Sequence, residues 1–202
     1  MIAVSTAVSP FVLRPQPENI NAIHANAILP DFSFAPPVRK DMPELLRLQS
    51  ALDRLSNDNP QTVGVVASSL TINADIIKNA AWSVNQHRRG SKTTICYMGD
   101  VDLRDGFSWG VLDADYLVVA SPIQTHLKSK NQRVITYLAE EILSGQNVGR
   151  AYQKTTDTFS LKDGVKVYIY HRTRPVTDQE KKELEKRFLA VYPKQSKLFR
   201  IK

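Results

Sequence analysis

The chain has 202 residues, 42% of them hydrophobic and 23% charged, with a net charge of +7 and one cysteine. That is length enough for one domain with a full core, and the composition excludes a mostly disordered chain. No apolar run reaches the ~18 residues that a bilayer span needs, and a single cysteine excludes an internal disulfide.

The charge is uneven. Residues 162–202 carry twelve Lys/Arg against five Asp/Glu, whereas residues 1–161 carry fifteen of each, so the whole excess lies in the last fifth. A basic end of this kind suits an anionic lipid surface, a nucleic acid or an acidic partner, and is equally the composition of a solvated basic helix.

The first fifteen residues, MIAVSTAVSPFVLRP, are mostly apolar and lack a basic leader. They read either as the trailing edge of a membrane segment or as an ordinary terminus. Pro15, Pro17, Pro30, Pro36 and Pro37 then punctuate an irregular arm, because proline restricts both itself and its predecessor. The expected organisation is therefore an arm over residues 1–40 and a single α/β domain over 41–202.

The spacing predicts a helix over residues 41–55, with Asp41 as cap, Glu44 in capping-box position and Leu45, Leu48, Leu52 and Leu55 as its apolar stripe. Residues 62–67 (TVGVVA) form an apolar run of strand length, suited to burial on both faces. Asn73 can cap a second helix to about residue 86, with Ile76, Ile77, Ala80, Ala81 and Val84 inward. A strand over 93–98 holds Cys96, read as a small core residue. The polar loop GDVDLRDG follows at 99–106, a third strand runs over 116–120, and a helix over 131–144 turns Val134, Ile135, Leu138, Ile142 and Leu143 inward.

The pattern then changes. Residues 152–161 and 165–172 read as strands joined by Lys162-Asp163-Gly164, a hairpin signal. In the second, Val165, Val167 and Ile169 face one way and Lys166, Tyr168 and Tyr170 the other. A last helix begins near Thr177, which makes a capping box with Glu180 and is followed by Leu184, Phe188 and Val191 as a buried stripe. The expected fold is a Rossmann-like α/β sandwich: a three-strand parallel core, an antiparallel C-terminal hairpin, and helices on both faces.

In an open α/β sheet, ligands gather beyond the carboxyl ends of the parallel strands. The turns after the three strands offer Ser68, Ser69 and Asn73, then Asp100, Asp102, Arg104 and Asp105, then Ser121, Gln124 and His126. Together they define a candidate ligand rim, although these are also ordinary turn and cap residues. Asp100 and Asp102 form a D-x-D pair that could hold a divalent cation on a sugar diphosphate, but so short a motif often arises by chance, and Arg104 and Asp105 fit an internal ion-paired loop just as well. His126 has no nucleophile elbow before it. There is no glycine-rich phosphate loop, so neither a cofactor nor a metal is expected. Aromatic and basic residues interleave only partly at Tyr168, Tyr170, His171, Arg172 and Arg174, and no nucleic-acid partner is expected.

Several ordered segments carry a resemblance that covers about residues 36–175. They are Pro36-Pro37-Val38-Arg39-Lys40-Asp41; Ala67-Ser68-Ser69 with Asn73; Val101-Asp102-Leu103-Arg104-Asp105; Ala114-Asp115-Tyr116 through Pro122, Gln124, His126 and Leu127; and Phe159, Leu161 and the run from Gly164 to Tyr170. In this the chain resembles the soluble C-terminal extracytoplasmic domain of bacterial integral-membrane glycosyltransferases of the dolichyl-phosphate-mannose mannosyltransferase type, which move a sugar from a polyprenyl-phosphate carrier. The resemblance implies an accessory domain on the periplasmic face, partnered by the membrane-embedded part of the enzyme. It implies no catalytic residue here, because that family's acidic catalytic groups lie in a loop between early membrane helices. Lys181, Lys182, Lys186 and Arg187 are the expected contacts to an anionic lipid surface. The alternatives are a stand-alone nucleotide-sugar-binding protein or enzyme using the Asp100/Asp102 loop, and an interaction module with no ligand.

Overall fold

Long apolar runs and period-two alternation fix a five-stranded sheet in the computed structural model, which describes residues 39–56, 59–85 and 93–201, without the side chains of 82–85. The expected arm or membrane segment, with Phe32 and Phe34 as residues that could pin the arm onto the folded body, and the side chain of Val84 fall outside what is described. Lys40–Lys202 forms one compact unit. The strands are β1 (Gln61–Val66), β2 (Thr93–Cys96), β3 (Tyr116–Ser121), β4 (Tyr152–Ser160) and β5 (Lys166–Arg172), in spatial order β2-β1-β3-β5-β4. β1 pairs in parallel with both β2 and β3, and β5 runs antiparallel between β3 and β4. This is the expected parallel core with an antiparallel hairpin.

Both faces of the sheet are covered, which is why β1 and β3 read as continuous apolar runs. On one face Val63, Val65, Val118, Val167 and Ile169 pack against α1 (Met42–Leu55) and α2 (Ala74–Asn85) through Leu45, Leu48, Leu52 and Ile77. On the other, Val66, Leu117, Val119 and Tyr170 meet α3 (Arg133–Ser144) and α4 (Asp178–Val191) through Val134, Leu138, Ile142, Leu184 and Phe188. The alternation expected of β5 holds, with Val165, Val167 and Ile169 on the α1–α2 side. Gly64 lies where a Cβ would come within 2.7 Å of both Leu117 Cδ2 and Val111 Cγ2, so the glycine lets the segment before β3 close over β1.

Local signals mostly act as read. Asn73 Oδ1 accepts the Ile76 N–H at 2.8 Å, and Thr177 and Glu180 form a reciprocal capping box on α4. Asp163 and Gly164 both adopt positive φ in the β4–β5 turn, the geometry of a primed hairpin turn.

Some details differ. Asp41 does not cap α1. Its carboxylate accepts the Lys162 N–H at 2.9 Å, and Glu44 accepts the Ser160 N–H at 3.1 Å, so both acids tie α1 to the hairpin. Leu55 and Val191, each the last residue of its helix, are exposed, while Gln49 and Ala51 complete the buried side of α1. Ala81 is only partly buried. α3 begins at Arg133 after a short 3-10 turn, Ser129–Asn131. β2 stops at Cys96, which is only partly buried because its strand lies at the sheet edge. Among the described residues no helix is long and apolar enough to cross a membrane.

Candidate functional site

The three turns beyond β1, β2 and β3 meet at the carboxyl edge of the sheet. Ser68 N–H donates to the Gln124 carbonyl at 2.8 Å, which zips the first turn to the third. Ser68 Oγ then donates to Asp100 Oδ2 at 2.7 Å and lies 2.7 Å from His126 Nδ1. Gln132, fully buried just before α3, donates from Nε2 to the Asp100 carbonyl at 2.7 Å and closes the ring behind them. The first turn is thereby bonded to the other two, as the shared-rim expectation requires.

Charge fixes the hydrogen positions. The Asp100 carboxylate only accepts, so the Ser68 hydroxyl points its proton there. His126 Nδ1–H then donates to Ser68 Oγ and to the Ser68 carbonyl at 3.1 Å. Nε2 is the nitrogen left for the cleft. This is not a nucleophilic triad. The carboxylate sits on the hydroxyl, not behind the imidazole, and Ser68 is only 5% exposed.

These residues line a cleft of about 670 Å³ together with Ser69, Asn73, Asp75, Tyr97, Arg104 and Asp105. Several are spent on building it. Ser69 Oγ donates to Gln124 Oε1 at 2.9 Å and accepts the Thr71 and Ile72 N–H groups. Asn73 Nδ2 donates to the Ser69 carbonyl at 3.0 Å while its oxygen caps α2. Gln124 stands behind Ser69 and does not line the cleft. Arg104 bonds Asp105 through Nε at 2.6 Å and Asp100 through an Nη at 3.1 Å. The Arg104 guanidinium holds the Asp105 carboxyl down to about 2, helped by the Val101 and Asp100 N–H groups. Asp75, Asp100 and Asp105 against Arg104 leave the cleft acidic. Tyr97 is half exposed at its mouth and donates its hydroxyl to Asp75 Oδ1 at 3.0 Å.

Asp102 is not part of this cleft. It is 1% exposed, and its oxygens accept the Arg133 N–H at 2.7 Å and the Val134 N–H at 3.0 Å, with the Tyr192 hydroxyl also donating to Oδ2. It caps α3 from a distant loop. Asp100 and Asp102 are thus held by separate partners, because successive polar residues in the turn face opposite sides. No described group of three His, Cys, Asp or Glu residues converges to hold a metal.

Arg187 also differs from its reading as a lipid contact. It is bonded to the buried Glu141 and to Glu140, both at 2.7 Å, and its guanidinium stacks on Tyr137. Burial pushes the Glu141 carboxyl up even so, with Arg187 and Asn147 opposing. Lys182 and Lys186 are exposed and Lys181 is half-buried.

Sequence reading missed Asp75, Tyr97 and Gln132 in the site and Glu141 beneath Arg187. Glu141 carried a signal: it lies at helical spacing from Val134 and Leu138, and an acid on an apolar stripe demands a cation. Gln132 carried none, since its partners Leu127, Asp100 and Ser68 lie five to sixty-four residues away. Comparison of the chain with protein-family models, with curated proteins and with solved structures gave no match.

Proposed function

We propose that this chain is an accessory, non-catalytic domain of a membrane-bound glycosyltransferase that uses a lipid-linked sugar, and that its cleft holds the sugar or acceptor. The observation that carries the reading is the meeting of three separate resemblance segments, around Ser68, Arg104 and His126, in one open cleft. Its chemistry suits a polyol. Carboxylates and His126 Nε2 offer acceptors to sugar hydroxyls, Arg104 offers donors, and Tyr97 offers a ring face at the mouth. An acidic cleft without a phosphate loop, in which Asp100 and Asp102 are held apart and Asp100 and Asp105 are both taken by Arg104, argues against a nucleotide sugar.

The test is a nuclear magnetic resonance titration of the purified chain with a free hexose, a hexose 1-phosphate and a uridine diphosphohexose. The free hexose is expected to shift amides around residues 68–75, 97–105 and 124–126, and the nucleotide sugar to add nothing. The purified chain is expected to form no glycosylated product from a polyprenyl-phosphate sugar. Turnover by the chain alone, or silence of the cleft amides with all three ligands, overturns the proposal. Protease added to spheroplasts should digest the protein, and full protection would remove its extracytoplasmic placement.

A further inference from the structure

Three segments are stitched together beside the mouth of the cleft. Tyr192 hydroxyl bridges Asp102 and the Lys130 carbonyl, and Phe107 N–H donates to the Leu198 carbonyl at 3.1 Å. A Cβ on Gly106 would lie 2.3 Å from that same carbonyl, so only glycine permits this closeness. The loop before α3, the turn after β2 and the C-terminal segment therefore form one continuous surface.

That surface is basic and apolar at once. Lys128, Lys130, Lys194, Lys197 and Arg200 are all exposed on it. Of the carboxylates that touch these segments, Asp102 is spent on the α3 terminus and Asp105 on Arg104, while Glu185, which accepts the Ile201 N–H, keeps its charge against the five cations. Leu103 is 57% exposed, and Leu127 and Leu198 are exposed beside the cations. The aromatic rings of the C-terminal segment, Tyr192 and Phe199, are buried and stacked on each other. No ring there is left for a nucleobase, whereas leucines among lysines match an interface of anionic headgroups over acyl chains.

We propose that this apron, and not the face of α4, docks on an anionic lipid surface and turns the cleft mouth toward the headgroups. The inference deepens the reading above, yet the two tests separate: vesicle binding needs no sugar, and sugar titration needs no vesicle. Each cation near an acidic leaflet contributes a factor of roughly five in partitioning. Only apolar contacts remain once salt screens beyond a Debye length of about 8 Å.

The experiment is co-sedimentation of the purified chain with phosphatidylcholine vesicles with and without phosphatidylglycerol. Binding is expected only with phosphatidylglycerol and should weaken steeply with added salt. The K194Q/K197Q/R200Q variant should lose on the order of a hundredfold, Leu103→Ser should lose severalfold, and K181Q/K182Q, at the far end of α4, should stay near the parent. All four positions on the apron are exposed, and unchanged urea midpoints verify that each variant is folded. Equal binding to both vesicle types, or equal losses in the two lysine variants, overturns the proposal. So does tight binding of a single-stranded oligonucleotide probe, lost in the triple variant, by a chain that leaves both vesicle types alone.

Discussion

Replacing Asp102 with alanine tests whether this buried acid holds the fold or the ligand. Its carboxylate accepts two N–H groups at the start of α3 and one phenol from the C-terminal segment. Loss of an N-terminal cap costs ~1 kcal/mol, loss of a partly buried anion at a helix N-terminus adds ~1 kcal/mol or more, and an orphaned buried donor adds ~1 kcal/mol. Tyr192 keeps the Lys130 carbonyl at 2.9 Å, so its hydroxyl is not fully orphaned. Removing a carboxylate that burial had desolvated offsets part of the loss. The three losses sum to about 3 kcal/mol and the two offsets bring the expected net loss to about 2 kcal/mol, a sizeable part of the 5–15 kcal/mol typical of a domain. Urea denaturation followed by tryptophan fluorescence should show a lower midpoint with an unchanged slope. Sugar-induced shifts at the cleft should persist in the folded fraction. A midpoint within ~0.5 kcal/mol of the parent, combined with lost sugar shifts, would refute the capping role and return Asp102 to the cleft.

Other expectations concern the ion pairs, the close contacts and the rim. Arg174 holds the Glu180 carboxyl down from 4.5 to about 2, so this acid contributes stability that is complete above pH 4.5 and fades as pH falls through about 2; Glu180→Gln should destabilise at neutral pH, with the difference from the parent vanishing near pH 2 in acid titrations of the urea midpoint. A Cβ at Gly149 would stand 2.0 Å from the Glu141 carbonyl, so Gly149→Ala should cost roughly 1–3 kcal/mol by forcing α3 aside, read as a lower melting temperature. Ser68→Ala strips Asp100 of its hydroxyl donor and should weaken free-hexose binding severalfold with less than ~1.5 kcal/mol lost in stability; unaltered hexose affinity in the titration would show that the Ser68–Asp100–His126 ring does not shape the site.

The architecture was legible because apolar periodicity is a local property. β1, β3 and α3 announce themselves within ten residues, and the Lys162-Asp163-Gly164 turn needs only its own backbone preference. The rim was legible at the level of topology, since parallel strands bring their carboxyl ends together whatever the side chains do. The roles inside it were not. Asp102 and Asp100 look alike as D-x-D, and only the positions of α3 and of Tyr192, 90 residues away, decide that one is buried and the other faces the cleft. Arg187 read as a surface cation because its counter-ion sits on another helix, 46 residues earlier. Asp41 and Glu44 had the spacing of a capping box, but tertiary donors from the hairpin outcompeted the helix N-terminus.

The tie between Asp41 and Lys162 has a practical consequence. Lys162 follows β4 at the end that registers with Lys166 and Ser121, beyond the carboxyl end of β3. The first residues of the domain therefore leave from the cleft edge, and residues 192–201 finish on that edge too. A dye or bead attached at residues 40–42 or 194–201 stands beside the cleft mouth and crowds it. A reporter dye or immobilisation handle belongs at the opposite edge, for instance at the exposed Gln146 after the left-handed Gly145 that ends α3, where it leaves both the cleft and the apron free.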